Sequence, residues 1–246
     1  MENTSLIGLS RQITLQRELD VIANNVANVT TNGFKRRSGL FSEHVMPVAR
    51  ADAPNRADRS LSFVIDRGTA LDLSTGATER TGNPLDVAIR SDAFFVVQTP
   101  NGERFTRNGA LSLSSTGDLV TSDGHPILTE QGPASFTAAD HDIRIAQDGT
   151  VSTAQGNKGR LRQVTFANSQ SLENIGGNLF ASSAAPRPAG PQAMLETGAV
   201  ERSNVSPVTE IARMIDVNRS YSALAQMLQR NDELRRSAIS RLAEAA

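Results

Sequence analysis

The chain has no cysteine and no tryptophan, and it has only one tyrosine and three histidines in 246 residues. Without cysteine there is no disulfide framework, no thiol nucleophile and no Cys-ligated metal. Aromatic residues make up 4% of the sequence. That is thin for one large compact core, and it leaves little on which nucleic-acid bases could stack. The formal net charge is -1, so the total favours neither a polyanion nor a membrane surface. No apolar run approaches the length of a membrane span, so no integral membrane segment is expected. The start, Met1-Glu2-Asn3-Thr4-Ser5, lacks a basic region followed by a continuous apolar one, so no cleaved Sec-type signal is expected.

What is present is patterned most strongly at the two ends. Residues 4–28 read as an amphipathic helix. Leu6, Leu9 and Ile13 step by three and four, and Leu15, Leu19, Ile22 and Val26 step by four, three and four. Between Ile13 and Leu15 the stripe shifts by two residues. Residues 205–242 read as a second helix, with Pro207 near its start where proline is tolerated. Met214, Val217, Tyr221, Leu224 and Leu228 keep a heptad-like spacing there.

Between the helices the signals are those of strands and turns. Leu85-Asp86-Val87-Ala88-Ile89 alternates, and Phe94-Phe95-Val96-Val97 fits a buried strand. Asn101-Gly102, Asn108-Gly109, Asp123-Gly124 and Asp148-Gly149 punctuate the stretch. Short strands at roughly 8–12-residue spacing argue for a sandwich or barrel-like β domain rather than a βαβ unit. The expected fold class is therefore α+β. The N- and C-terminal helices pair into a coiled-coil-like helical domain, with a mainly antiparallel β domain between them. The expected divisions are an N-terminal helical part at 1–35, an extended linker segment at 36–75, the β domain at 76–180, a linker at 181–202 and a C-terminal helical part at 203–246.

An apolar stripe on a lone helix needs a partner. Burying a Leu-sized side chain contributes about 1.5–3 kcal/mol, against about 1–2 kcal/mol of backbone entropy for each residue ordered. The simplest partner is the other terminal helix, in the same chain or in a neighbour. Helices at both ends that meet other copies form a head-to-tail contact, which propagates into a tube or fibre. The first helix closes on Ala23-Asn24-Asn25-Val26-Ala27-Asn28, where Asn24 and Asn28 share one face. Asparagine in a helix seam sets register at some cost in stability. Gly33 can then supply the positive φ of an exit turn.

The search for chemistry is negative. No Walker spacing, nucleophile elbow or H-E-x-x-H motif is present. His44, His125 and His141 are isolated from one another. Asp140-His141-Asp142 with Asp148-Gly149 fails as a calcium loop, because Arg144 and Val151 fall where oxygen ligands are needed. Turn aspartates explain that stretch better. No catalytic, cofactor or metal residues are assigned, and no nucleic-acid partner is expected.

Three separated motifs carry a family resemblance. Ala23-Asn24-Asn25-Val26-Ala27-Asn28 followed by Thr31-Asn32-Gly33-Phe34-Lys35 closely resembles the N-terminal signature of bacterial flagellar rod and hook proteins. Ser203-Asn204-Val205 with Val208, Glu210, Ile211, Met214, Ile215, Arg219 and Tyr221 resembles their C-terminal signature. The middle resembles theirs as well, through Thr81-Gly82-Asn83-Pro84-Leu85-Asp86, Phe94-Phe95-Val96-Val97 and Phe105-Thr106-Arg107-Asn108-Gly109. Length, the opening Met1-Glu2-Asn3 and the segment Met46-Pro47-Val48-Ala49-Arg50 to Arg67-Gly68-Thr69 look most like the proximal-rod members. Distal-rod or hook-like members are the alternative. A peptidoglycan-binding or remodelling β domain is a second alternative, though no acid pair or aromatic groove favours it.

The resemblance implies a structural subunit of a hollow axial drive shaft that transmits torque and passes exported subunits. The resemblance implies neither an enzyme activity nor a cofactor. The implied partners are other rod proteins, copies of itself, the flagellar type III export apparatus and neighbouring ring proteins. The implied place is the basal body, in a rod crossing the periplasm, reached without a cleaved signal. The expected subunit-interface residues are Leu6, Leu9, Ile13, Leu19, Ile22, Asn24, Asn25, Val26, Asn28, Gly33 and Phe34 at one end, and Asn204, Val205, Val208, Ile211, Met214, Ile215, Arg219, Tyr221, Leu224 and Leu228 at the other. Val26 and Val29 depart conservatively from the family's usual letters, and no Glu follows Tyr221.

Overall fold

The computed structural model describes residues 2–47, 60–168, 171–190 and 193–244. The chain forms two compact units. One comprises Met1–Val26, Arg37–Ala70 and Pro207–Ala246, and the other comprises Ala27–Arg36 and Leu71–Ser206. We call them the helical unit and the β unit.

The β unit is organised around the strand Phe94–Thr99. It lies in a six-stranded antiparallel sheet between Gly102–Thr106 on one side and Gln163–Thr165 on the other. Side chains alternate across a strand. Phe95 and Val97 therefore join one cluster with Leu119, Ile127, Val151 and Leu161. Phe94 and Val96 join the opposite one with Phe105, Val164 and Phe180. Both faces are covered, which is why this strand reads as an unbroken apolar run. Edge-to-face rings line the second cluster, with Phe94 and Phe180 centroids 5.6 Å apart.

Two antiparallel pairs bring the beginning and end of this unit together. Val87–Ile89 pairs with Leu195–Thr197, and Thr78–Arg80 pairs with Ala199–Glu201. The segment expected as a linker at 181–202 thus carries returning strands, with Leu195, Ala199 and Val200 buried. Its proline- and alanine-rich composition hides them, because short two- and three-residue strands leave no period to read.

The helical unit contains α1, Glu2–Ala27, and α2, Pro207–Glu244. It also contains the strand Arg37–Pro47 and its pair Ser60–Leu71 up to Ala70, within the segment expected as an extended linker. Residues 48–59 of the expected polar stretch, including Val48, Ala49 and Arg50, lie outside the described residues. Proline at the first position of α2 loses nothing, since its missing N–H would have no helical partner there.

The α+β layout is found, but the coiled-coil-like pairing of the terminal helices is not. A coiled coil buries one continuous seam. Here a local cluster forms instead, with Leu15, Ile22 and Val217 buried and Leu19, Val26, Met214, Tyr221 and Leu224 half-buried against them. Leu6, Leu9 and Ile13 are 53%, 51% and 61% exposed. The reason lies in the two-residue shift after Ile13. At about 100° per residue the residues after the shift point roughly 140° away from those before it, onto another face of the helix. One apparent seam is therefore two faces, of which the chain covers one.

Candidate functional site

Within the β unit the N-terminal signature ends in a buried polar junction. Gly33 has φ +70°, and a side chain there would place its Cβ 2.5 Å from the Arg107 carbonyl carbon. Only glycine satisfies both demands. The turn lets the Gly33 N–H donate to the Glu201 carbonyl at 2.7 Å. It also sends the buried side chains of Phe34 and Lys35 inward.

Lys35 Nζ donates to Glu201 Oε1 at 2.7 Å and to the carbonyls of Ser74 and Leu73 at 2.6 and 3.4 Å. Arg107 Nε donates to the other carboxylate oxygen of Glu201 at 2.8 Å. The same guanidinium reaches the carbonyls of Ser91, Ala93 and Ile89 at 2.8, 3.0 and 3.3 Å. It also lies over the Phe94 ring, 5.7 Å from its centroid. All three charged side chains are buried. Burial and then the neighbouring Arg107 push the Lys35 ammonium below its ordinary value, and Glu201 opposes them. Hydrogen bonds from the Ser74 hydroxyl and N–H hold Asp72 below the usual carboxylate range.

Asn204 completes the junction. Its Oδ1 accepts from the Arg36 N–H at 2.7 Å, and its Nδ2 donates to the carbonyls of Asp72 and Ser74 at 2.9 and 3.0 Å. Arg202 reaches Asn32 Oδ1 at 3.1 Å, and Asn178 donates to the Asn32 carbonyl at 2.6 Å.

The expected interface residues separate into three groups. Phe34, Gly33, Asn204 and Val205 serve the β unit's own packing. In the helical unit Asn25 is fully buried. Its amide donates to the Arg37 carbonyl at 2.8 Å and to Glu210 at 3.1 Å, and its oxygen accepts from the Arg37 N–H at 2.9 Å. Asn25 thus sets the register of α1 against its own strand and helix. Burial, and then nearby Arg17, lower the Arg37 guanidinium.

Ile22, Leu19, Val26, Met214, Tyr221 and Leu224 form the helix contact described above. Gln12 donates to the Tyr221 hydroxyl at 3.0 Å there. Leu228 approaches so closely that a Cβ on Gly8 would meet it at 2.5 Å. The third group faces outward. Val208, Ile211 and Ile215 are 78%, 48% and 47% exposed, and they repeat on α2 the pattern of Leu6, Leu9 and Ile13 on α1. Arg219 and Asn24 are exposed as well, and Asn28 is half-buried, accepting from the Thr31 hydroxyl at 3.2 Å.

On each helix the open face stands roughly 140° from the covered one, at about 100° per residue. Sequence reading placed Leu15 in the apolar stripe but not among the interface residues, and it missed Glu201 altogether. Lys35 and Arg107 lie inside motifs that could have pointed to a buried charge network, whereas no pattern marks Glu201. Among the described residues no group of His, Asp and Glu could hold a metal ion, and no helix is long and apolar enough to cross a membrane.

A closed β unit and two end helices, each with an open apolar face, define a chain of the assembling kind. Comparison with known proteins makes the class specific. Residues 6–35 match the family described as flagella basal body rod protein. Residues 88–153 match the flagellar hook protein FlgE/F/G D1 domain, and residues 196–241 match the flagellar basal body rod FlgEFG protein C-terminal. The flagellar basal-body rod protein FlgF of Caulobacter vibrioides is 36% identical over 246 residues, covering 98% of each chain. FlgG of Bacillus subtilis is 35% identical, covering 92% of this chain and 94% of its own. FlgF of Mesorhizobium japonicum is 31% identical, covering 93% of each. The chain therefore belongs to the flagellar basal-body rod protein family, the structural subunits of the rod.

Proposed function

We propose that the chain is an FlgF-type subunit of the proximal rod, joining other rod proteins and copies of itself through the open faces of α1 and α2. The observation that carries this reading is the pair of matched apolar stripes, Leu6-Leu9-Ile13 and Val208-Ile211-Ile215, left uncovered within the chain. Each residue stabilises a contact by up to about 1.5–3 kcal/mol when its exposed area is covered. Two different faces on two helices make a head-to-tail contact that propagates rather than closes. The rod then serves as a hollow shaft crossing the periplasm, transmitting torque and passing exported subunits. Its function lies in packing, and no catalysis is assigned. The subunit travels through the type III export apparatus and meets neighbouring ring proteins in place.

The test is a pair of substitutions, Ile13→Asp and Ile211→Asp. Rod assembly and motility should be lost while the purified monomer keeps its helical content. Normal motility with both changes would sink the reading. A distal-rod position is the second reading, favoured by the 35% identity to an FlgG protein. Immunolabelling of isolated basal bodies separates the two, with label expected at the membrane-proximal end of the rod.

A further inference from the structure

The Lys35–Glu201–Arg107 junction joins segments that are far apart in sequence, and its charges are unequal in what they can do. Arg107 is held by three backbone carbonyls besides Glu201, all within the β unit. Its guanidinium does not lose its proton in a protein. Lys35 is held by two carbonyls and the same carboxylate. Burial already works against its ammonium, and lysine can shed the charge or withdraw it. Glu201 also accepts from the Gly76 N–H at 2.9 Å, so its carboxylate ties a third segment. Without that carboxylate two buried cations would face each other, and the group free to leave is Lys35, with the segment that carries it.

We infer that Glu201 is a latch: residues 27–36 dock on the rest of the β unit only when the strand Ala199–Glu201 has supplied its carboxylate, so the two ends of this unit commit together. A chain whose C-terminal strand has not yet paired with Thr78–Arg80 would hold a folded central sheet but an undocked N-terminal signature. The inference concerns the chain alone and stands whether or not the rod reading holds.

Hydrogen exchange on the full-length monomer tests it, because the Gly33 N–H donates to the Glu201 backbone carbonyl and reports docking directly. Val96, in the central strand, is the control. Glu201→Gln should speed exchange at Gly33 roughly 100-fold or more, the scale of breaking a buried ion pair from one side. Val96 should change by no more than a few-fold. Lys35→Met leaves Glu201 and Arg107 balanced and should speed Gly33 only about tenfold. The double variant should exchange more slowly at Gly33 than Glu201→Gln alone, since one unpaired cation has gone. Unchanged Gly33 exchange in Glu201→Gln overturns the latch. So does an equal rise at Val96, or a double variant no slower than the single one. If Glu201→Gln fails to fold, Lys35→Met decides: a rise confined to Gly33 and its neighbours supports the latch, and an absent or uniform rise overturns it.

Discussion

Phe95 and Ile13 are both large apolar residues in regular secondary structure, yet Phe95 is 0% exposed in the β unit and Ile13 is 61% exposed in the helical unit. The difference follows from what each element can cover. Phe94–Thr99 has hydrogen-bonded strands on both sides and a cluster on each face, so nothing apolar is left over. Each helix has two apolar faces, and one neighbouring helix can cover only one. The central strand of the β unit is covered on both faces, whereas each helix of the helical unit keeps an open apolar face.

The comparison can be broken most sharply in the β unit. Phe95→Ala should cost about 3–5 kcal/mol, read as a lower denaturant midpoint of the β signal. If the loss were under about 1 kcal/mol, the central strand would not be the core it looks like. In the helical unit Ile22→Ala should cost about 2–5 kcal/mol, lowering helical stability and leaving amide protection in Phe94–Thr99 intact. Loss of protection in both places would show that the two units melt as one.

Asp140 gives a smaller, pH-dependent effect. Its hydrogen bond from Lys158, followed by the Thr137 N–H, holds the carboxyl well below the usual range. A lowered folded value means that the contribution is present above the ordinary aspartate value near 3.9 and fades as pH falls through the folded one. Urea midpoints of Asp140→Asn should therefore lie below those of the parent chain at pH 7, and the gap should shrink below about pH 4. A gap that widens in acid would reverse the sign and refute the assignment. Ile13→Asp should have the least effect on the monomer, within about 0.5 kcal/mol, while abolishing assembly. Thermal melts alongside motility assays would separate those two outcomes.

Much of this layout was legible before any coordinates. Asn101-Gly102 and Asp123-Gly124 mark their turns through positive-φ glycines, and the turn at Gly33 likewise follows from local backbone chemistry. The two helices are legible from period alone. The terminal contact was misread because a stripe with a two-residue shift looks like one imperfect seam in one dimension. The short returning strands at 195–201 were missed because three residues cannot show alternation. Asn25 was expected to face neighbours and instead bonds its own strand and Glu210, a choice that depends on where residues 37 and 210 arrive.

The sequence by itself determined the helical ends, the turn-punctuated β centre and the family, because periodicity, turn chemistry and motif order are local properties. Tertiary structure decided which of each helix's two apolar faces is covered, since that depends on the partner's position. It also decided that Lys35, Arg107 and Glu201 meet. Glu201 attracts both cations through space, across 166 residues from Lys35 and 94 from Arg107, and that leaves no pattern in the order of letters.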